Sequence, residues 1–263
     1  MNLKNIRLFV FDVDGTTFDH SIYAIREQTL LGLQKLKQKG YLLCLSTSRS
    51  KDEMKDLPET FLGLFDVIVS LAGCCIEMKD HKITHAIRQD QLEAALHYMD
   101  ENEITYRYAT KEGRSFMNRH EQWVEDIFYR LYHMVPERKK YEKEEVLHIN
   151  YYLNDHPALH KRNIESIIPN AVHTYLKVTT EITPEGVDKA AELLRTAGYY
   201  GLNAENVCAF GDGDNDVSML KAAGFGIAMG NGTAACREAA DYVCEDIRED
   251  GLYKALCHFG FIE

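Results

Sequence analysis

The chain has 263 residues, 45% of them hydrophobic, and a formal net charge of −11, so it can bury the core of one large domain or two modest ones. The acidic balance and the lack of a long basic stretch argue against a nucleic-acid partner, whose backbone is bound mainly through Lys and Arg, and Lys139-Lys140 beside Glu142, Glu144 and Glu145 reads as a solvated helix face. No run reaches the ~18–20 apolar residues of a membrane span, Leu8 to Phe11 is too short for a signal sequence, and seven cysteines without a Cys-x-x-Cys pair suit buried thiols in a reducing cytoplasm.

The first eighty residues alternate between the two periodicities. Ile6 to Phe11 predicts a strand. Ile22 to Lys39 predicts a helix closed by Gly40, and Tyr41 to Leu45 a second strand. A short polar helix is expected from Ser50 or Lys51, then a third strand over Val67 to Leu71. From about residue 83 to 181 the texture changes. Period-two segments at Ile104 to Ala109, Ser115 to Asn118, Leu147 to Leu153 and His173 to Val178 are separated by helical patterns at Gln91 to Glu101 and Glu121 to Tyr132. The first alternation then returns: helix at Val187 to Ala197 closed by Gly198, strand at Val207 to Phe210, helix at Asn215 to Ala223, strands at Phe225 to Met229 and Tyr242 to Cys244, and a final helix after Asp250-Gly251. This order predicts an α/β fold. Residues 1–82 and 182–263 would form a discontinuous, doubly wound parallel-sheet core of Rossmann-like type, and residues 83–181 an inserted α+β domain with an antiparallel sheet.

Two acidic clusters carry the functional reading. Asp12 and Asp14 lie in Phe11-Asp12-Val13-Asp14-Gly15-Thr16, and Asp212 and Asp216 in Gly211-Asp212-Gly213-Asp214-Asn215-Asp216. Each cluster follows a short apolar run, and parallel sheets place ligands beyond the carboxyl ends of such strands, so the two are expected to meet. Unit charges about 4 Å apart at an effective dielectric of 20 repel by roughly 4 kcal/mol. Converging carboxylates therefore call for a cation, and Mg²⁺ suits an all-oxygen site. Neither cluster makes an EF-hand, because Tyr23 and Ala223 stand where the last acidic ligand belongs. Solvated turn carboxylates are the plainer alternative for the second cluster taken alone. In the metal reading Asp12 is a nucleophile toward phosphorus and Asp14 a general acid and base, while Asp212 and Asp216 hold the ion. Negative charge on a transferring phosphoryl group also needs donors and a cation, which Thr47 at a strand end and Lys189 at a helix start can supply.

In this order, Asp-x-Asp-Gly-Thr, a Thr at a strand end, an isolated Lys and Gly-Asp-x-x-Asn-Asp resemble the haloacid dehalogenase (HAD) superfamily, specifically its Cof-like branch with a large inserted cap of type IIB. Met229-Gly230-Asn231, Ala240-Asp241-Tyr242-Val243 and Glu249-Asp250-Gly251 extend the likeness to the end of the chain. The resemblance implies a cytoplasmic, Mg²⁺-dependent phosphatase acting on small phosphorylated metabolites, sugar phosphates among them, through an aspartyl-phosphate. It implies that Asp12, Asp14, Asp212 and Asp216 surround the metal, with Asp14 contributing its carbonyl. Thr47-Ser48-Arg49, Lys189 and Asn215 would bind the phosphate. The branch usually carries Thr-Gly-Arg and Asn-Gly where this chain has Thr47-Ser48-Arg49 and Ala72-Gly73, and the second change removes a side chain expected to touch substrate.

A phosphomutase on the same core and a non-catalytic binding or regulatory module are the alternatives. The sequence leaves the oligomeric state open. Gly224-Phe225-Gly226-Ile227-Ala228-Met229-Gly230 imitates a dinucleotide loop, but its third glycine is one place late. The histidines, and Trp123, Phe128 and Tyr132, read as structural. Arg107, Arg114, Asn118 and Arg119 are the candidates in the inserted segment for contact with the leaving group.

Overall fold

In the computed structural model, which describes residues 3–263, the chain builds two sheets. The larger has eight strands in the spatial order Tyr242–Val243, Phe225–Ala228, Val207–Gly211, Leu8–Phe11, Leu42–Ser46, Val67–Ser70, Cys75–Met78 and His81–Thr84. The first six run parallel, and Cys75–Met78 pairs antiparallel with both Val67–Ser70 and His81–Thr84. Leu8–Phe11 sits at the centre because it is apolar on both faces. Phe9 and Phe11 join Leu33, Leu36, Leu252 and Leu256 on one side, while Leu8 and Val10 join Leu193, Ala197 and Met219 on the other. From this strand the sheet grows toward Leu42–Ser46 on one flank and is completed by Val207–Gly211 on the other. The reversal of strand order lies between Leu8–Phe11 and Val207–Gly211, and such a switch point opens a crevice at the carboxyl ends.

The second sheet has six strands, in the order Glu137–Arg138, Ser115–Met117, Thr105–Thr110, Val146–Tyr152, Thr180–Thr183 and Val172–Tyr175. All its pairings are antiparallel except the first. Alternation splits its faces. Tyr106, Tyr108, Ile149, Tyr151 and Ile182 pack with residues of the helices Gln89–Glu101 and Pro157–Ile167. Arg107, His148, Asn150 and Glu181 occupy the alternate positions, and Arg107 and Glu181 line a cavity shared with Asp12 and Asp212. The helix Gln122–Tyr132 packs through Val124, Ile127 and Phe128 with Met117 and Tyr152.

Several elements differ from their sequence expectation. The first helix spans Glu27–Gln38 and does not start at Ile22. Asp19 accepts hydrogen bonds from the Ser21 amide (2.8 Å) and hydroxyl (2.7 Å), and this local turn outcompetes helical spacing. Phe18–Asp19 and Ala24–Ile25 form a small hairpin instead, leaving Ile22 exposed. The polar helix at Ser50 is a reciprocally bonded turn, with the Ser50 amide donating to Glu53 (2.7 Å) and the Glu53 amide to Ser50 Oγ (3.3 Å); a four-residue helix, Glu59–Leu62, follows Pro58. Gly198 lies inside the helix Lys189–Tyr199, and Gly201 supplies the left-handed residue beyond it. The run Val67 to Ile76 is broken by Leu71, Ala72 and Gly73, all with positive φ, into two strands that pair antiparallel. Among the described residues all seven cysteines are free thiols, and burial pushes Cys74 and Cys75 above the ordinary thiol range. No described helix is long and apolar enough to cross a membrane.

Candidate active site

Parallel pairing of Phe11 with Phe210 places Asp12 and Asp212 side by side although about 200 residues separate them. The Asp12 amide donates to the Phe210 carbonyl (3.0 Å), which fixes the turn out of the central strand. One oxygen from each of Asp12, Asp212 and Asp216 lies within 4.8 Å of the others. Lys189 Nζ reaches Oδ1 of both Asp12 and Asp216, at 2.6 Å each. Asp216 uses its second oxygen to accept the Asp212 (3.0 Å) and Gly213 (2.9 Å) amides, so this carboxylate braces the turn that carries Asp212. Thr16 Oγ1 donates to Asp212 Oδ1 (3.2 Å). Gly15 makes the close approach possible: its φ is +84°, and a Cβ there would run into the Asp212 carboxylate.

Burial sets the electrostatics. Removal from water and the charge of Asp216 raise the Asp12 carboxyl to about 7, against the pull of Lys189. Asp212 is pushed well above its ordinary value by burial and by Asp12 and Asp216. Burial opposes the charge of Lys189 too, yet Asp12 and Asp216 raise its pKa. Three acidic groups with one ammonium among them leave the cluster short of positive charge.

Asp14 stands apart from this trio. Arg49 holds it bidentately, Nε to Oδ2 at 3.0 Å and Nη2 to Oδ1 at 2.7 Å, and His20 Nε2 lies 2.8 Å from Oδ1. Burial disfavours the Asp14 carboxylate, but the guanidinium and the hydrogen bonds outweigh it and hold the carboxyl well below the usual range. Arg49, expected at the phosphate, is committed elsewhere. Fully buried, it also donates to Asp56 (2.7 Å) and the Glu53 carbonyl (3.0 Å), with Phe18 and Tyr132 each 5.0 Å from its carbon. A guanidinium out of water needs its donors satisfied and its charge neutralised, and Asp14 and Asp56 do both.

Of the other phosphate candidates, Ser48 and Asn215 share a cavity with the aspartates. Asn215 Nδ2 donates to Ser48 Oγ (3.1 Å), and both line one cavity with Asp12, Asp14 and Asp212. Thr47 is buried at the end of its strand, its hydroxyl accepting the Arg49 amide (3.1 Å). The cavity holds about 260 Å³ and is bounded by Asn150, Tyr152 and Glu181 of the second sheet and by Phe128 and Tyr132 of the helix Gln122–Tyr132. Phe128 and Tyr132, read from sequence as core, thus have a second surface. Trp123 keeps the expected packing, edge-on to Tyr152. Of the four candidates in the inserted segment only Arg107 reaches this cavity. Arg114 pairs with Asp52 (2.9 Å), Asn118 donates to the Ile104 carbonyl (3.1 Å), and Arg119 pairs with Glu103 beside a separate hollow that Asp12, Asp14, Asp212 and Asp216 do not line. Sequence reasoning missed His20, Asn150 and Glu181. Alternation offered a signal for the latter two, since a polar residue between Ile149 and Tyr151, or between Thr180 and Ile182, must face away from the helices.

A doubly wound sheet with clustered carboxylates and a buried lysine at its switch point is the architecture of an enzyme that handles phosphorylated ligands. A family model of haloacid dehalogenase-like hydrolases matches residues 9–256, and the chain belongs to this family as a Cof-like phosphatase. It is 28% identical to the 5-amino-6-(5-phospho-D-ribitylamino)uracil phosphatase YitU of Bacillus subtilis (strain 168), covering 95% of this chain and 96% of that one. It is 26% identical to YcsE, a phosphatase of the same name in that organism, covering 97% and 96%. Among solved structures it is similar to the HAD subclass IIB sugar phosphatase BT4131, with a TM-score of 0.86, 25% identity and coverage of 97% and 100%.

Proposed function

We propose that the chain hydrolyses phosphate monoesters of small, hydroxyl-bearing metabolites through an aspartyl-phosphate on Asp12. The observation that carries this reading is the Asp12 carboxylate, which lines the cavity with one oxygen bound to Lys189 and the other free of hydrogen bonds among the described residues. That free Oδ2 attacks phosphorus as the ester bond breaks. Asp14, held ionised by Arg49 in this arrangement, must leave that pair and take up a proton before it gives one to the departing oxygen; it then takes one from the water that cleaves the aspartyl-phosphate, so alcohol and inorganic phosphate leave and both carboxyl groups are restored. Lys189, Thr47, Ser48 and Asn215 hold the phosphoryl oxygens. The charge deficit of the aspartate cluster fits a divalent cation held by Asp12, Asp212 and, directly or through water, Asp216, with the Asp14 carbonyl beside them. Bound Mg²⁺ would supply neutralising charge for the phosphate.

Residues 1–82 and 182–263 form the catalytic core in this reading, and 83–181 the cap, with Thr180–Thr183 pairing into the cap sheet. The cap excludes bulk water, which strengthens charge interactions at phosphorus and limits side reactions. Free, buried thiols accord with a cytoplasmic setting. The names of YitU, YcsE and BT4131 support a phosphorylated polyol or sugar as substrate. A panel of sugar, polyol and nucleotide monophosphates tests this: inorganic phosphate is released with Mg²⁺ and not with EDTA. Phosphorus NMR showing an isomerised ester with no free phosphate would mark a mutase and overturn the hydrolase.

The metal has a pH signature. Asp12, raised to about 7, takes up a proton on folding that the unfolded chain lacks above about 4. Its effect on metal-free stability is therefore unfavourable and deepens as pH rises from about 4 to 7. Mg²⁺ must displace that proton, so its stabilising effect grows over the same interval. Thermal melts should show a larger Mg²⁺-induced rise in Tm at pH 7.5 than at pH 5. Equal shifts at both values would contradict the assignment of Asp12 as a ligand.

A further inference from the structure

Glu181 is a buried carboxylate with one oxygen that nothing among the described residues completes. It is 2% exposed, it lines the cavity above Asp12, and its Oε2 has no hydrogen-bond partner. Its position follows from register. Arg107 pairs with Asn150 and Asn150 with Glu181 across three adjacent strands, which puts the three side chains in one row on the face away from the helices. Ser48 and Asn150 support the carboxylate, but Oε2 gains no donor and the other polar neighbours are engaged elsewhere. Glu53 holds the Arg107 guanidinium bidentately, at 3.0 and 2.5 Å. Arg107 donates to His148 Nδ1 (2.8 Å), so the proton of this buried neutral imidazole sits on Nε2, 3.8 Å from Glu181 Oε1 and beyond hydrogen-bond reach.

We propose that Glu181 is a specificity residue that accepts a hydrogen bond from a hydroxyl or amino group of the leaving alcohol, selecting uncharged, donor-bearing alcohols over those with a second anionic group. The proposal rests on the phosphatase reading and adds the residue that recognises the leaving group. A buried acceptor without a donor is costly, and a ligand that supplies one is favoured over a ligand that cannot. The rest of the cavity agrees. Phe128, Tyr132 and Tyr152 offer apolar walls to a carbon skeleton. The charge of Arg107 is spent on Glu53, which leaves Lys177, exposed on the turn at the rim, as the one cation among the described lining residues that could meet a second phosphate or a carboxylate.

The test compares Glu181→Gln with the wild type on three substrates: the best-used sugar or polyol monophosphate of the panel, p-nitrophenyl phosphate, whose ring bears no hydroxyl or amino donor in the ester, and fructose 1,6-bisphosphate. The ratio of kcat/KM for the sugar or polyol phosphate to that for p-nitrophenyl phosphate is expected to fall about 10- to 100-fold, mainly through KM, while discrimination against the bisphosphate narrows. Thermal melts report folding. Should the glutamine variant not fold, Glu181→Asp, which keeps the charge but withdraws it by one methylene, is expected to lower the same ratio. An unchanged ratio in a folded variant, an equal collapse on all three substrates, or a wild type that uses p-nitrophenyl phosphate and no hydroxyl-bearing phosphate would each overturn the proposal. A wild type that releases phosphate from none of the panel would instead remove the phosphatase reading beneath it.

Discussion

Asp12→Asn is expected to lower phosphate release from any monoester by about four orders of magnitude or more, a barrier increase of at least ~5 kcal/mol. The change is nearly isosteric. An amide cannot attack phosphorus or carry the phosphoryl group, and it offers a weaker ligand to a cation, yet its oxygen still accepts the hydrogen bond of Lys189. Folding should survive. Asp12 is 5% exposed, and burial together with Asp216 already works against its negative charge, so the variant should melt at or above the wild-type temperature in metal-free buffer. Loss of turnover with unimpaired stability is the joint result that identifies a nucleophile. Hydrolysis within tenfold of the wild type would end the assignment.

Replacing Lys189 by Met should cost both stability and turnover. The ammonium is 2% exposed and lies between two carboxylates at 2.6 Å each. Removing one partner of a buried ion pair leaves uncompensated charge and typically costs ~3–5 kcal/mol. Here two partners would be stranded, and Asp216 would also brace the Asp212 turn less firmly. Urea unfolding in EDTA should show the full loss, and Mg²⁺ should restore part of it by taking over the missing positive charge. Phosphate release should stay low in either buffer, because a metal in the carboxylate cluster does not replace a donor to the phosphoryl oxygens. Wild-type stability in EDTA would contradict the view of Lys189 as the cation that holds the acidic cluster together.

How far the sequence could be read depended on the range of the interactions concerned. The central strands were legible because an apolar run ending in Asp, at Phe11-Asp12 and again at Gly211-Asp212, reports a buried strand leaving the sheet at a polar edge. Lys189 was legible from its place before a helical pattern. Arg49 was misread. Its neighbour in the chain, Ser48, lines the cavity, but a side chain of Arg49's length is directed by whichever carboxylates lie in reach, and Asp14 and Asp56 approach it only once the hairpin and the turn after Ser50 have folded. The helix expected at Ile22 failed for a related reason, since Asp19 bonds two groups of Ser21 and a period-3.6 pattern carries no record of such a turn. Of the four basic or amide candidates in the inserted segment, only Arg107 lies on a strand position facing the cavity. Arg114 and Arg119 lie outside the strands, and alternation says nothing about such positions.

The central strand also has a history during synthesis. Leu8–Phe11 leaves the ribosome about 200 residues before one of its two neighbours, Val207–Gly211. At ~5–20 residues per second that interval is roughly 10–40 s, during which the most apolar strand of the protein has an open hydrogen-bonding flank. The intervening segment can condense earlier, because the helix Gln89–Glu101 and strands from Thr105 onward find their partners within it. The active-site crevice needs the pairing of Leu8–Phe11 with Val207–Gly211, so it comes into being only after both segments of the core have been made. Slow maturation and a demand for protection of the exposed flank are built into a site whose halves lie about 200 residues apart along the message.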